Sequence, residues 1–344
     1  MSVPSATRTD TAPPPPSPPS HGRRIAVTVV LTPLLAAFAL WAFAWPAART
    51  APQELPLGVA GPATATAPVQ KQLEEREGAF EIHRYADESA ARDAIEDRTV
   101  YGAIVVTERG PKLLTASAAS PVVAQTLQQA VAQQSGGAQV PTVDVVPASA
   151  DDPRGAALTS SVLPLALAGI AAGAVVTLLG LRGWRAAGAL TGAAVLVGVA
   201  AATIADSWLG VFTGNWWAEA AALGLSTVAV SGAVAGLAAL LGRRGIGVGA
   251  FIVMLLGNPF SGAGSAPEML PEPVGTIGQW LPPGAGASLM RSVSFFDGAA
   301  AFGPALTLAW WAALGLGAVL LGSTLQRRKA PAQPAAHREP ALVG

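Results

Sequence analysis

Among the runs of 20 or more residues without Asp, Glu, Lys or Arg in this 344-residue chain, five are long and apolar enough to be read as spans: 25–48, 155–181, 186–205, 220–242 and 298–326. An α-helix rises about 1.5 Å per residue, so about 20 apolar residues cross a hydrocarbon core of about 30 Å. Soluble domains carry about 25% charged residues. Here the figure is 12%, against 51% hydrophobic, so a soluble globular class is set aside. A sixth apolar stretch, 245–257, is too short alone. It crosses only if the helix continues through Asn258, Pro259, Phe260 and Ser261, or it dips in and is packed inside the protein. The expected fold is a polytopic α-helical membrane protein of six spans, the fifth irregular, with an α/β domain inserted between spans one and two.

Basic residues near span ends stay on the cytoplasmic side. Arg23 and Arg24, Arg182 and Arg185, Arg243 and Arg244, and Arg327, Arg328 and Lys329 fall on one side if the spans alternate. The loop 206–219 has two acids and no base, and 258–301 has Arg291 against Glu268, Glu272 and Asp297. Both termini are therefore expected in the cytoplasm of a cell-membrane protein, with 50–154 outside. Trp41, Trp45, Trp208, Trp216, Trp217 and Trp280 sit near the outer ends, where amphipathic rings settle at the headgroup level. The first apolar stretch exceeds the 7–15 residues of a signal-peptide core, which favours an uncleaved anchor.

The expected division is a disordered Pro-rich tail over 1–24, the first span over 25–48, the α/β domain over 49–154, a five-span bundle over 155–326 with an outer or re-entrant stretch over 258–301, and a second disordered tail over 327–344. Short apolar runs alternate with helical ones across 55–147. Strands are expected at 55–60, 79–85, 101–107, 112–117 and 142–147, and helices at 66–77, 87–97 and 121–134. Asp87 and Ser120 stand as helix caps, the latter followed by Pro121.

Zero cysteines remove disulfides, thiolate metal sites and cysteine nucleophiles. The three histidines, His21, His83 and His337, are isolated. No phosphate-binding G-x-x-x-x-G-K-[ST] loop and no catalytic set is found, so no enzyme activity, cofactor or metal is expected. Basic and acidic residues balance at 21 each, which gives no bias toward nucleic acid. Proline at 259 removes a helix hydrogen bond at membrane depth, so Asn258, Pro259, Ser261 and Gly262 mark either a pathway-lining broken helix or a plain helix end. Asp151, Asp152 and Arg154 precede the second span as a candidate coupling turn, or as simple capping of a helix amino end. The pairs Gly169 and Gly173, Gly188 and Gly192, Gly232 and Gly236, and Gly245 and Gly249 let helix backbones approach closely, either between subunits or within one bundle. Asp206 and Glu219 read as a solvated rim.

The order of parts resembles the membrane subunit of type-2 ABC exporters and, more closely, the YhgE/Pip group of bacterial membrane proteins. The residues that carry the resemblance are 55–62 (LPLGVAGP), 101–105 (YGAIV), 151–155 (DDPRG), 163–165 (LPL), 258–262 (NPFSG), 269–271 (MLP) and 281–284 (LPPG). It implies a homodimeric or heterodimeric permease in the lipid bilayer that works with a separate ATP-binding subunit to move an amphipathic or lipid-like substrate outward. The cytoplasmic loops are short, with only 181–185 between the second and third spans. That favours the alternative, a non-transporting scaffold or surface-recognition protein acting through its outer domain.

Overall fold

The structure, a computed structural model, describes residues 21–134 and 140–329. The expected tails 1–24 and 327–344 lie outside the described residues except for 21–24 and 327–329, which are helical. The chain forms two units, Met1–Trp41 and Ala42–Gly344. Helix α1 covers His21–Ala48. Every other described element belongs to the second unit.

That unit begins with the α/β domain: β1 (Leu55–Ala60), α2 (Ala63–Glu74), β2 (Phe80–Tyr85), α3 (Glu88–Glu96), β3 (Gly102–Thr107), β4 (Gly110–Thr115), α4 (Pro121–Gln134) and β5 (Thr142–Asp144). The strands form one sheet in the order β2-β1-β3-β4-β5. β1 lies parallel to both β2 and β3, β3 and β4 form an antiparallel hairpin, and β5 is parallel to β4. A central parallel strand covered on both faces reads as a continuous apolar run, which is how Leu55–Ala60 is written. Local chemistry fixes the helix starts. Ala90 N donates to the Asp87 carboxylate at 2.9 Å, and Val123 N donates to Ser120 Oγ at 3.2 Å. Both expected caps are in place.

The helices α5 (Ala156–Leu178), α6 (Gly183–Ala202), α7 (Trp216–Leu241), α8 (Arg244–Phe251), α9 (Val274–Gln279), α10 (Pro282–Phe295) and α11 (Phe302–Lys329) complete the unit. α6 runs on as a π-helix over Thr203–Trp208, and α8 as another over Ile252–Gly257. Five helical segments are long and apolar enough to cross a membrane: Ile25–Ala48, Ala156–Leu178, Gly183–Trp208, Trp216–Leu241 and Phe302–Gly322. The sixth expected span departs from them. Arg244–Gly257 rises at most about 21 Å at 1.5 Å per residue, short of a full crossing. Its π-helical end and the proline at 259 stop it.

α7 stands in the middle of the bundle, against α5, α6, α8 and α11. Its small residues permit this. A Cβ on Gly236 would meet the Gly315 carbonyl of α11 at 2.7 Å, and one on Gly173 of α5 would meet the Ser231 carbonyl at 2.7 Å. In lipid, association rests on this close packing rather than on water exclusion.

The α/β domain rests on the stretch that follows α8. Ala51 N donates to the Met269 carbonyl at 3.0 Å, and Gln53 N to the Glu268 carbonyl at 2.8 Å. Ala266 and Met269 join Leu55, Leu57, Ile104 and Leu113 in one apolar core, and Phe296 enters the core on the other side of the sheet beside Ile95 and Val105. Leu57 is wholly buried there. Leu57→Ala is expected to destabilise the domain by about 2–5 kcal/mol, as buried leucine truncations do. Urea unfolding of the purified full chain checks this, and an unchanged midpoint would contradict the packing.

Candidate functional site

A chain that leaves its helix within a membrane protein must find new partners for its backbone polar groups. After α8 this happens within eight residues. Asn258 N donates to the Val253 carbonyl at 3.0 Å, closing the π-helix, and Pro259 has no N–H to continue it. Gly262 takes φ +66°, and a Cβ there would meet Pro267 N at 2.7 Å, so both the turn and the space call for glycine. Ser261 Oγ donates to the Asn258 carbonyl at 2.7 Å and accepts from Ala263 N at 3.2 Å.

The carbonyls thus released are gathered by side chains from three helices. Gln279 Nε2 of α9 donates to Ser261 O at 2.9 Å, and Thr159 Oγ1 of α5 donates to Ala263 O at 3.0 Å. Arg291 Nη2 of α10 donates to Ala263 O at 2.6 Å and to Ser265 O at 3.4 Å. Arg291 is 5% exposed and sits in no ion pair among the described residues. Burial lowers its pKa to about 10, and the guanidinium remains a cation at neutral pH. Two carbonyl dipoles, with the Glu268 charge farther off, compensate it in place of a carboxylate partner.

Asn258, Pro259, Ser261 and Gly262, the four residues singled out from the sequence, line a cleft of about 710 Å³. Thr50, Thr159, Ser160 and Ser265 add hydroxyls, while Phe43, Val162, Leu163 and Leu270 add apolar surface. No charged side chain among the described residues lines it. Pro164 within α5 denies the Ser160 carbonyl its helical donor, so the opposite wall also carries backbone polarity. The arrangement is amphipathic: hydroxyls and loosened backbone along apolar walls.

The candidate coupling turn is placed between the sheet and the bundle. Asp152 accepts from Ala156 N at 2.9 Å and Ala157 N at 2.7 Å, capping α5. Asp151 lies against Gly210 in the α6–α7 loop, and Ser149 Oγ donates to the Gly210 carbonyl at 2.7 Å. Arg154 is exposed. Three of the four glycine pairs pack inside the bundle: Gly169 and Gly173 against α7, Gly232 and Gly236 toward α11, and Gly245 and Gly249 back onto α7. Gly188 and Gly192 meet nothing within 4 Å and lie on the open face of α6.

The solvated-rim expectation for Glu219 is corrected. Its side chain is fully buried, with Oε1 accepting from Gly214 N at 3.1 Å. The 209–215 loop folds over it, and Asn215 caps α7 beside it. Asp206 stays half-exposed.

A second polar group joins the α/β domain to α10. Tyr101 Oη donates to Glu268 Oε2 at 2.8 Å. Burial and the Glu268 carboxylate hold the phenol well above its ordinary range, so it remains a donor at neutral pH. Arg98 Nη1 donates to Ser288 O at 3.0 Å and to Ser292 Oγ, and the guanidinium stacks 5.3 Å from the Phe296 ring centre. Arg98, Tyr101, Glu268, Gln279 and Arg291 were not among the sequence-derived candidates. The available signal was that Arg291 is the lone basic residue in 258–301.

Residues 23–165 match the family model described as ABC-2 family transporter protein. The match runs through most of α1, the α/β domain and the start of α5, and it supports the type-2 ABC permease superfamily. Together with the apolar helices it supports a membrane location and a permease-like role. No curated protein and no solved structure matched the chain.

Arg291→Leu leaves the Ala263 and Ser265 carbonyls short of donors. It is expected to cost about 1–3 kcal/mol for the buried groups left unsatisfied. The check is the thermal midpoint in detergent beside Arg291→Lys, which keeps a cation and is expected to lie between Leu and the parent. Equal midpoints for all three would contradict the stitching role.

Proposed function

We propose that this chain is the membrane permease of a type-2 ABC exporter, moving an amphipathic or lipid-like substrate outward with a separate ATPase. The observation that carries the reading is the uncharged, hydroxyl-lined cleft at the break after α8. A substrate with an apolar body and a polar end fits walls of that composition, and broken spans at membrane depth are a recurring transport device. The family match over 23–165 supports the same reading. In this proposal both termini face the cytoplasm, residues 50–154 lie outside the cell, and the chain is a close relative of the YhgE/Pip group. The domain boundaries expected from the sequence and the coupling role of Asp151, Asp152 and Arg154 belong to the same proposal.

Reconstituted with its ATPase in vesicles, the chain should move a fluorescent amphiphile only with nucleotide. Ser160 is exposed on the cleft wall, so Ser160→Trp is expected to fill the cleft without unfolding the chain. Transport should fall about tenfold or more while the ATPase still co-purifies. Undiminished transport would reject the cleft as the path. The connections at the basic ends of the helices are short, with Leu179–Arg182 between α5 and α6 and Gly242–Arg243 between α7 and α8. That observation favours the scaffold reading, which gains if no ATPase co-purifies under mild detergent.

The chain is proposed to work as a dimer that uses the open face of α6. Gly188 and Gly192 form the one G-x-x-x-G pair of the four with no neighbour inside the described chain. Replacing both with isoleucine should shift the detergent-solubilised protein from dimer to monomer in light scattering and leave its thermal midpoint unchanged. A dimer that survives both substitutions would place the contact elsewhere.

A further inference from the structure

Opposite charges in a part-buried cavity normally close on each other, because an unpaired ion away from water is costly. One cavity of this chain breaks that expectation. It has a volume of about 380 Å³ and lies among the α3–β3 connection, Pro267 and Glu268, α10 and the start of α11. Arg98 and Glu268 both line it, yet they form no ion pair within 4 Å. Each is held by other bonds. Arg98 is tied through Nη1 to Ser288 and Ser292 of α10, and Glu268 through Oε2 to Tyr101.

The anchoring leaves chemistry unspent on both sides. Arg98 retains its Nε and Nη2 donors, and Glu268 retains Oε1. Arg98 also adopts φ +59°, a left-handed conformation that is costly for a residue with a Cβ and persists where the surrounding structure enforces it. Arg291 is used by the Ala263 and Ser265 carbonyls and is not among the residues that line this cavity. Among the described residues, the charges that line the space are therefore one guanidinium and one carboxylate.

The rim gives the second half of the argument. Trp280 lines the cavity and is 74% exposed, and Phe302, next to the lining residue Gly303, is 79% exposed. Phe302 opens α11, where an apolar span begins, and Trp280 ends α9 and packs against that span. The Trp280 indole, an aromatic body with a polar N–H, settles at the level of lipid headgroups, and the Phe302 ring adds apolar surface beside it. Trp311 Nε1 of α11 holds the Trp280 carbonyl at 2.8 Å, which fixes this rim against the span.

We infer that this cavity binds the zwitterionic headgroup of an amphiphile, with its phosphate or carboxylate on Arg98 and its primary ammonium on Glu268, the acyl chains passing out beside Trp280 and Phe302. The ammonium matters because it donates hydrogen bonds, which a quaternary choline group does not. A purely anionic headgroup meets the Glu268 carboxylate with nothing to offset it. The site is separate from the cleft at Asn258 and binds whether or not the chain transports, so its test is independent of the permease reading.

The test is binding to the purified full chain in detergent, by thermal shift and native mass spectrometry, of short-chain phosphatidylethanolamine, phosphatidylglycerol and phosphatidylcholine, with free phosphoethanolamine as the arm lacking acyl chains. Phosphatidylethanolamine should bind at least about tenfold more tightly than the other two lipids. Glu268→Gln should bring it down to the phosphatidylcholine level, and Arg98→Gln should weaken all three. Equal binding of free phosphoethanolamine and the short-chain lipid would assign the site to a soluble zwitterion and overturn the lipid source. Equal affinity for the three lipids, tightest binding of phosphatidylglycerol, or a preference unchanged in Glu268→Gln would overturn the inference. The Glu268 variant and the wild-type ranking decide the matter even where Arg98→Gln fails to fold.

Discussion

Backbone polar groups without a partner cannot persist in a hydrocarbon setting, and the architecture around α8 follows from that constraint. Helices satisfy their own groups. Where α8 gives way to π-helix and then to Pro259, the carbonyls of Ser261, Ala263 and Ser265 come free, and Gln279, Thr159 and Arg291 take them up. The short helices α9 and α10 supply two of those three side chains. Without them the break would be an open wound in the packing, and the cleft beside it would have no fixed wall.

The same constraint accounts for where the α/β domain sits. Its sheet core shares Ala266 and Met269 with the unwound stretch, and its leading strand is entered through backbone bonds from Ala51 and Gln53 to residues 268 and 269. Tyr101 and Arg98 extend the contact to Glu268 and α10. The segment that lines the cleft is therefore bonded directly to the sheet. This gives the proposed coupling a second route beside the capped turn at Asp152.

Much of this was legible in the sequence, and the rest was not, for physical reasons. Charge-free runs that are also apolar revealed the candidate spans because a buried ion in lipid is expensive, whereas the equally charge-free 113–143 belongs to the α/β domain. The sheet could be read because its strands are short apolar runs bounded by Gly, Pro and Asp, as at Leu55–Ala60 before Gly61-Pro62. The break was legible in Pro259 and Gly262, whose backbones have few options. The partners that complete the break were hidden. Arg291 reaches residues 26 and 28 positions away, and Arg98 reaches residues 190 and 194 away, so nothing local marks either as a partner. Glu219 was misread because position near a span end suggests water, whereas burial depends on the loop that folds back over it.

The central claim is that the break after α8 forms a water-reachable polar wall within an otherwise apolar bundle. The chain has no native cysteine, so single substitutions report cleanly. The direct measurement is labelling of Asn258→Cys in open membranes by a membrane-impermeant thiol reagent, beside Leu196→Cys, which lies 71% exposed on the outer face of α6. The account predicts that the cysteine at 258 is labelled and the one at 196 is not. A cysteine at 258 that reacts only after denaturation would contradict it.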